Sequence, residues 1–132
     1  DVQKAEHLYQ EALETYRRAD ATMHHSYKAE MAKVHTSLGT MYFADLGRNE
    51  DSKRAFLEAI HVHYAMGSNR QVDISLARVF CLLGDVYFQE KRYSEAKEKY
   101  ANALDLFRRR ADQEGMAVAM QGIGNCNIEI RF

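Results

Sequence analysis

The sequence predicts an all-α protein, an antiparallel helix-hairpin solenoid of about six helices. Apolar residues recur at three- and four-residue spacing, as in Leu83, Tyr87, Tyr100 and Phe107, which is the helical period. Proline is absent from the 132 residues, which favours long uninterrupted helices. Two short motifs recur in alternation along the chain, which is typical of repeat architectures. No segment alternates apolar and polar residues for the length of a strand, so no strand is predicted.

Turn signals divide the chain into helical segments. The helices are expected at residues 3–19, 25–45, 50–66, 70–90, 94–110 and 115–130. Ser94 is the expected N-cap of the fifth helix, and Gly67 the expected C-cap of the third. Short loops place consecutive helices antiparallel. A bundle and a solenoid both satisfy that arrangement, so internal repetition has to decide between them.

The two motifs repeat in phase. The first is an aliphatic residue followed by glycine, with Gly39, Gly84 and Gly124 spaced by 45 and then 40 residues. The second is a small residue, an aromatic residue four positions later and an alanine three positions after that. Its three copies are Ala5, Tyr9 and Ala12; Ser52, Phe56 and Ala59; and Ala96, Tyr100 and Ala103. Strict alternation of the two series predicts repeated helix pairs, and therefore a solenoid.

The best-formed copy, Leu83-Gly84-Asp85-Val86-Tyr87 followed by Ala96, Tyr100 and Ala103, resembles the signature of the tetratricopeptide repeat family. The resemblance implies a right-handed superhelix in which glycine and alanines keep two helices close. The implied segments are a second helix at 3–19, full repeats at 25–66 and 70–110, and a further first helix at 115–130. Residues 1–132 then form one domain, expected to be part of a longer array. The spacing of 40 to 47 residues exceeds the usual 34 and resembles the long-repeat subclass.

The resemblance implies a protein–protein interaction module, a scaffold or adaptor segment whose first helices line a concave groove for an extended or helical peptide. Carried over by position, the groove residues are Lys33, Thr36, Thr40 and Phe43; Arg78, Cys81, Asp85 and Phe88; and Val118, Gln121, Asn125 and Ile128. Within each helix they follow i, i+3, i+7 and i+10, which is one face. The alternative is that Phe43 and Phe88 are core between repeats and the polar residues only face water.

A second class of function is a ligand-sensing regulatory segment that controls an attached effector or ATPase. Such a sensor would have an enclosed pocket with convergent polar groups, whereas an adaptor would have an open groove. No enzyme activity and no cofactor are expected. Cys81 and Cys126 are predicted to be small, buried and inert rather than nucleophiles. The pairs His24-His25 and His61-x-His63 lack the spacing of metal ligands.

Composition narrows the expected partners. A formal net charge of −1 argues against nucleic acid, and the apolar runs are too short to span a membrane. Two cysteines in 132 residues favour a reducing, cytoplasmic compartment. The first and last helices carry apolar residues such as Leu13 and Met120 and lack polar capping faces. Both are therefore expected to expose apolar surface and to self-associate or pack against a longer chain.

Overall fold

The computed structural model describes residues 2–22, 26–45 and 47–131, and over this part of the chain it consists of α-helices without a β-strand. The helices are α1 (Val2–Thr22), α2 (Lys28–Asp45), α3 (Asn49–Ala65), α4 (Arg70–Gln89), α5 (Tyr93–Arg109) and α6 (Gln113–Arg131). The all-α prediction is confirmed, and the predicted helix bounds agree with these within three residues.

The chain forms two compact units. Unit 1 is Asp1–Gly67 and unit 2 is Ser68–Phe132. In unit 1, α2 packs against both α1 and α3. In unit 2, the three helices α4, α5 and α6 all contact one another. Each unit therefore contains one helix hairpin of the predicted repeat, α2–α3 or α4–α5, with a further helix packed against it.

Gly67, the expected C-cap of α3, lies in the turn between α3 and α4 one residue beyond the C-cap. Gly67 follows the C-cap residue Met66 with a φ of +83°, a left-handed conformation that favours glycine. Asn69 then caps α4, because its side-chain oxygen accepts a hydrogen bond from the Val72 backbone N–H at 3.0 Å.

The predicted N-cap of α5 is wrong. The N-cap position belongs to Arg92, whose side chain makes no capping bond, and Ser94 lies inside the first helical turn. The chain reverses earlier than expected, because Lys91 adopts a φ of +63°. The Arg92 Nε then donates to Glu95 Oε1 at 2.7 Å, so an ion pair stabilises this helix start where a hydroxyl cap was expected.

Glycine and aromatic residues pack against each other in both hairpins. A Cβ built on Gly39 would lie 2.5 Å from Phe56 Cε1, and one built on Gly84 would lie 2.9 Å from Tyr100 Cε1. Both distances are shorter than real Cβ atoms show. Ala103 in α5 is fully buried, so a small side chain completes the close approach of its helix. The two sequence motifs are thus the two sides of one contact.

An arginine makes the same two contacts at both hairpin turns. The Arg48 guanidinium lies 4.6 Å from the centroid of the Tyr42 ring, and Arg92 lies 4.8 Å from that of Tyr87. Each arginine is also ion-paired three residues onward, Arg48 with Asp51 and Arg92 with Glu95. A cation over an aromatic face is a stabilising contact. Both turns are therefore stabilised by the same arginine contacts in addition to their helix packing.

Candidate functional site

The predicted groove residues of unit 2 lie on two helices in contact, α4 and α6. On α4, Arg78 and Asp85 are exposed and Phe88 is half-buried. On α6, Gln121 and Asn125 are exposed. We call these five residues, with the exposed Val118 and Ile128, the α4–α6 face. It combines apolar side chains with charged and amide groups on adjacent helices.

Asp85 is positioned by its hydrogen bond with Tyr100. The Tyr100 hydroxyl donates to Asp85 Oδ1 across the α4–α5 hairpin. Burial of the carboxyl raises the pKa of Asp85 from its ordinary value, although the bond from Tyr100 acts in the opposite direction. Burial first, and then the Asp85 contact, raise the pKa of Tyr100 as well. Although Asp85 as a residue is exposed, its carboxyl group is therefore anchored rather than freely rotating.

Phe88 contributes to both packing and surface. Its ring makes an edge-to-face contact with Tyr93 at a centroid distance of 5.1 Å, at the turn between α4 and α5. The residue is nevertheless only half-buried. The contact with Tyr93 fixes the ring, and the remaining surface is accessible from outside the hairpin.

The two cysteines are buried, as predicted. Cys81 is 8% exposed and Cys126 is fully buried. Burial raises the pKa of the Cys81 thiol to about 12, with a smaller contribution from Asp85, and burial also raises the pKa of Cys126. Such thiols carry little thiolate at neutral pH, which removes their nucleophilic character. Cys81 also offers little surface to a ligand, unlike the other predicted groove residues of unit 2.

In unit 1, the predicted groove residues lie along α2. Lys33 and Thr40 are exposed, while Thr36 and Phe43 are half-buried. The Thr36 hydroxyl donates to the Ala32 backbone oxygen at 2.8 Å, which occupies its hydrogen. The hydroxyl of Thr36 is therefore hydrogen-bonded within α2, whereas Thr40, on the same side of the helix, is exposed.

A cleft of about 520 Å³ lies between α1 and α2. It is lined by Val2, Ala5, Tyr9, Thr36, Ser37, Thr40, Met41, Ala44 and Asp45. Two of the predicted groove residues, Thr36 and Thr40, line its α2 side, whereas its α1 side was not predicted, because binding positions were expected on first helices alone. The signal was available in Ala5 and Tyr9, which belong to the second motif and line the α1 side of the cleft.

No metal site is evident in the described ranges, where no three His, Cys, Asp or Glu side chains come together. His63 is buried with its Nδ1 2.7 Å from the Ala59 backbone oxygen, while His61 is exposed. The pair His24-His25 lies outside the described residues. None of the six helices, over their described extent, is both long and apolar enough to cross a membrane.

Comparison with known proteins identifies one part of the chain. Residues 77–110 match the family model of the tetratricopeptide repeat. These residues comprise most of α4, the turn after it and all of α5, which is the hairpin in which Tyr100 packs against Gly84. Neither the curated proteins nor the solved structures gave a significant match.

Proposed function

We propose that this chain, which carries a tetratricopeptide repeat, is a scaffold or adaptor segment that binds a peptide or a partner helix. This repeat is a protein-interaction unit without catalytic function, so a general role in protein–protein interaction follows from the family. The observation that carries the finer proposal is the α4–α6 face. Its polar residues Asp85, Gln121 and Asn125 are exposed, although the hairpin behind them is fully packed.

The chemistry of the α4–α6 face fits a peptide. Gln121 and Asn125 each present an amide that can both donate to and accept from a peptide backbone. Val118 and Ile128 are 52% and 58% exposed and offer contact area to apolar side chains. Phe88 supplies an aromatic edge already fixed by Tyr93. We therefore expect a ligand segment with apolar side chains and accessible backbone groups.

A ligand-sensing regulatory role remains the alternative. It would require a small molecule to be enclosed, because pockets for small molecules bury most of the ligand surface. The cleft between α1 and α2 is open to solvent, which favours the binding of a chain segment over an enclosed metabolite. We propose no enzymatic activity and no cofactor. Two unpaired, buried cysteines agree with the cytoplasmic location that we propose.

Selection of peptides from a random display library, followed by isothermal titration calorimetry, tests this function. For a selected peptide, Asn125→Ala and Phe88→Ala should each raise the dissociation constant about tenfold, equivalent to about 1.4 kcal/mol. Glu98→Ala is the matched control, because Glu98 is exposed on α5 outside the α4–α6 face. Unchanged affinity in both face variants would rule out the α4–α6 face as the binding surface.

A further inference from the structure

The first helices α2, α4 and α6 share a three-residue pattern, and in α2 and α4 its glycine packs against the second helix of the hairpin. Aligned on the glycine of the first motif, the sets are Ala32, His35 and Gly39; Ala77, Phe80 and Gly84; and Ala117, Met120 and Gly124. In α2 and α4 all three positions are buried. In α6 all three are exposed, and Met120 is 47% exposed. We call Ala117, Met120 and Gly124 the open face of α6.

The glycine of the open face differs from its two counterparts in its surroundings. Gly39 is covered by Phe56 and Gly84 by Tyr100, each so closely that a Cβ would collide with the ring. A Cβ built on Gly124 would meet no atom of the described chain within 4 Å. The open face thus has the shape that receives an aromatic ring in α2 and α4, but its surface is accessible.

Helix α1 carries the complementary pattern. Its residues Ala5, Tyr9 and Ala12 match Ala96, Tyr100 and Ala103 of α5, which pack against α4. The three α5 residues are buried, whereas the three α1 residues are only half-buried. Tyr9 also lines the cleft between α1 and α2. In unit 1, therefore, the ring that would seat on a glycine faces an open cleft.

The equivalent ring in unit 2 shows how the cleft can be filled. Tyr100 lies between α4 and α6, since a Cβ on Gly84 would be 2.9 Å from its ring and one on Gly122 would be 2.7 Å away. For Tyr9, α2 takes the place of α6, and Ser37 takes the place of Gly122 in the alignment. The position that α4 occupies beside Tyr100 corresponds to the cleft beside Tyr9. The cleft is therefore lined in the way that a first helix requires.

We propose that the open face of α6 receives α1 of a second copy of this chain, with Tyr9 of that copy seated on Gly124. In the same contact α6 enters the cleft between α1 and α2 of the second copy. The interface would reproduce between two chains the packing that joins α4 to α5 within one chain. It completes a hairpin from α6 of one copy and α1 of the next.

Hydrogen bonding favours α1 as the occupant. Within the α4–α5 hairpin, the Tyr100 hydroxyl donates to Asp85, the residue after Gly84. Asn125 is the residue after Gly124, and its carboxamide oxygen can accept the Tyr9 hydroxyl in the same way. Met120, which is 47% exposed, adds apolar area to this contact.

The open face and the cleft are different surfaces, so the contact is head-to-tail. A heterologous contact of this kind produces chains or closed rings rather than a two-fold dimer. Each copy offers one open face and one cleft, and growth stops wherever either is blocked. This property separates the proposal from non-specific adhesion of apolar patches.

Blocking the two surfaces separately provides the test. Gly124→Leu fills the open face with a side chain, and Ser37→Arg places a large charged side chain at the cleft. Both residues are exposed, so neither change disturbs the core of a single copy. Glu98→Leu is the matched control, because it adds a leucine at an exposed α5 residue that belongs neither to the open face nor to the cleft. Circular dichroism verifies that every variant is folded.

Sedimentation velocity over a wide concentration series measures the result. The unmodified chain and Glu98→Leu should associate with rising concentration, and the dissociation constant of each blocked variant should be at least tenfold higher. A mixture of Gly124→Leu with Ser37→Arg should form a one-to-one dimer and nothing larger, because one intact face and one intact cleft remain. A monomeric unmodified chain at every concentration would refute the proposal, as would a mixture that stays monomeric.

Discussion

Tyr100 packs its ring directly onto Gly84, so that a Cβ on the glycine would lie 2.9 to 3.1 Å from three ring carbons. The glycine costs its helix about 1 kcal/mol of propensity relative to alanine. Close packing of a large aromatic side chain, 5% exposed in the case of Tyr100, offsets that cost. The same relationship between Phe56 and Gly39 shows that it is a property of the repeat rather than of one site.

Replacing Gly84 by leucine should destabilise the protein. The new side chain has no space beneath the buried Tyr100 ring, and overpacking of this kind costs roughly 1–3 kcal/mol. Urea denaturation followed by circular dichroism should give a lower midpoint with an unchanged slope. A midpoint equal to that of the unmodified chain would show that the contact between Tyr100 and Gly84 can rearrange without loss of stability.

Gly124→Leu is the matched control for that substitution. It makes the same chemical change at the corresponding position of α6, where a Cβ would meet no described atom within 4 Å. At a concentration where the chain is monomeric, stability should stay the same or rise by up to about 1 kcal/mol, because leucine is the better helix former. Equal losses at Gly84 and Gly124 would assign the effect to the leucine itself.

The helices could be predicted from the sequence, because the helical period is a local signal, and the close approach of two helices at a glycine was implied by the resemblance to the tetratricopeptide repeat. The start of α5 could not be predicted, since Ser94 has the composition of a cap but the left-handed Lys91 sets where the chain turns. The α1 side of the cleft, beside Tyr9, was missed for another reason. The cleft depends on which faces of two helices remain uncovered, whereas the residues of a family signature are those that pack between helices.

Removing the Asp73 carboxylate should weaken unit 2. Asp73, 5% exposed at the start of α4, accepts from the Ser68 hydroxyl at 2.8 Å and is ion-paired with Arg110 at 2.7 Å. Asp73→Ala leaves the Arg110 guanidinium without this partner, and hydrogen bonds to charged groups contribute about 1.5–3 kcal/mol. Urea denaturation at pH 7 should show a loss of that order. Glu98→Ala, an exposed α5 change, should show little loss.

The contribution of Asp73 should also depend on pH. Burial favours the protonated carboxyl, but the hydrogen bonds from Ser68 and Arg110 and the Arg110 charge hold the pKa of Asp73 below its usual 3.8. A lowered pKa stabilises the fold above the unfolded value, and the stabilisation is lost as pH falls through the folded value. The difference in unfolding free energy between the unmodified chain and Asp73→Ala should therefore be constant from pH 7 to about 5 and shrink below about 4. A difference that grows on acidification would show that the carboxylate is not stabilised in the fold.

Both thiols should resist modification while the protein is folded. Burial and a raised pKa, about 12 for Cys81, remove both access and thiolate at pH 8. A chromogenic disulfide reagent should react slowly with the native chain and rapidly with both cysteines in concentrated urea. Cys126→Ser should leave one slow thiol in the native state. Rapid native reaction would indicate that α4 or α6 opens readily.

Mapping of backbone amide chemical shifts during titration with a selected peptide tests the proposed binding surface most directly. We expect the largest shifts on α4 around Asp85 and Phe88 and on α6 around Gln121 and Asn125. The outward side of α5 around Glu98 should change little. Largest shifts on α5, with α4 and α6 unmoved at saturation, would contradict the proposal that the α4–α6 face binds the partner.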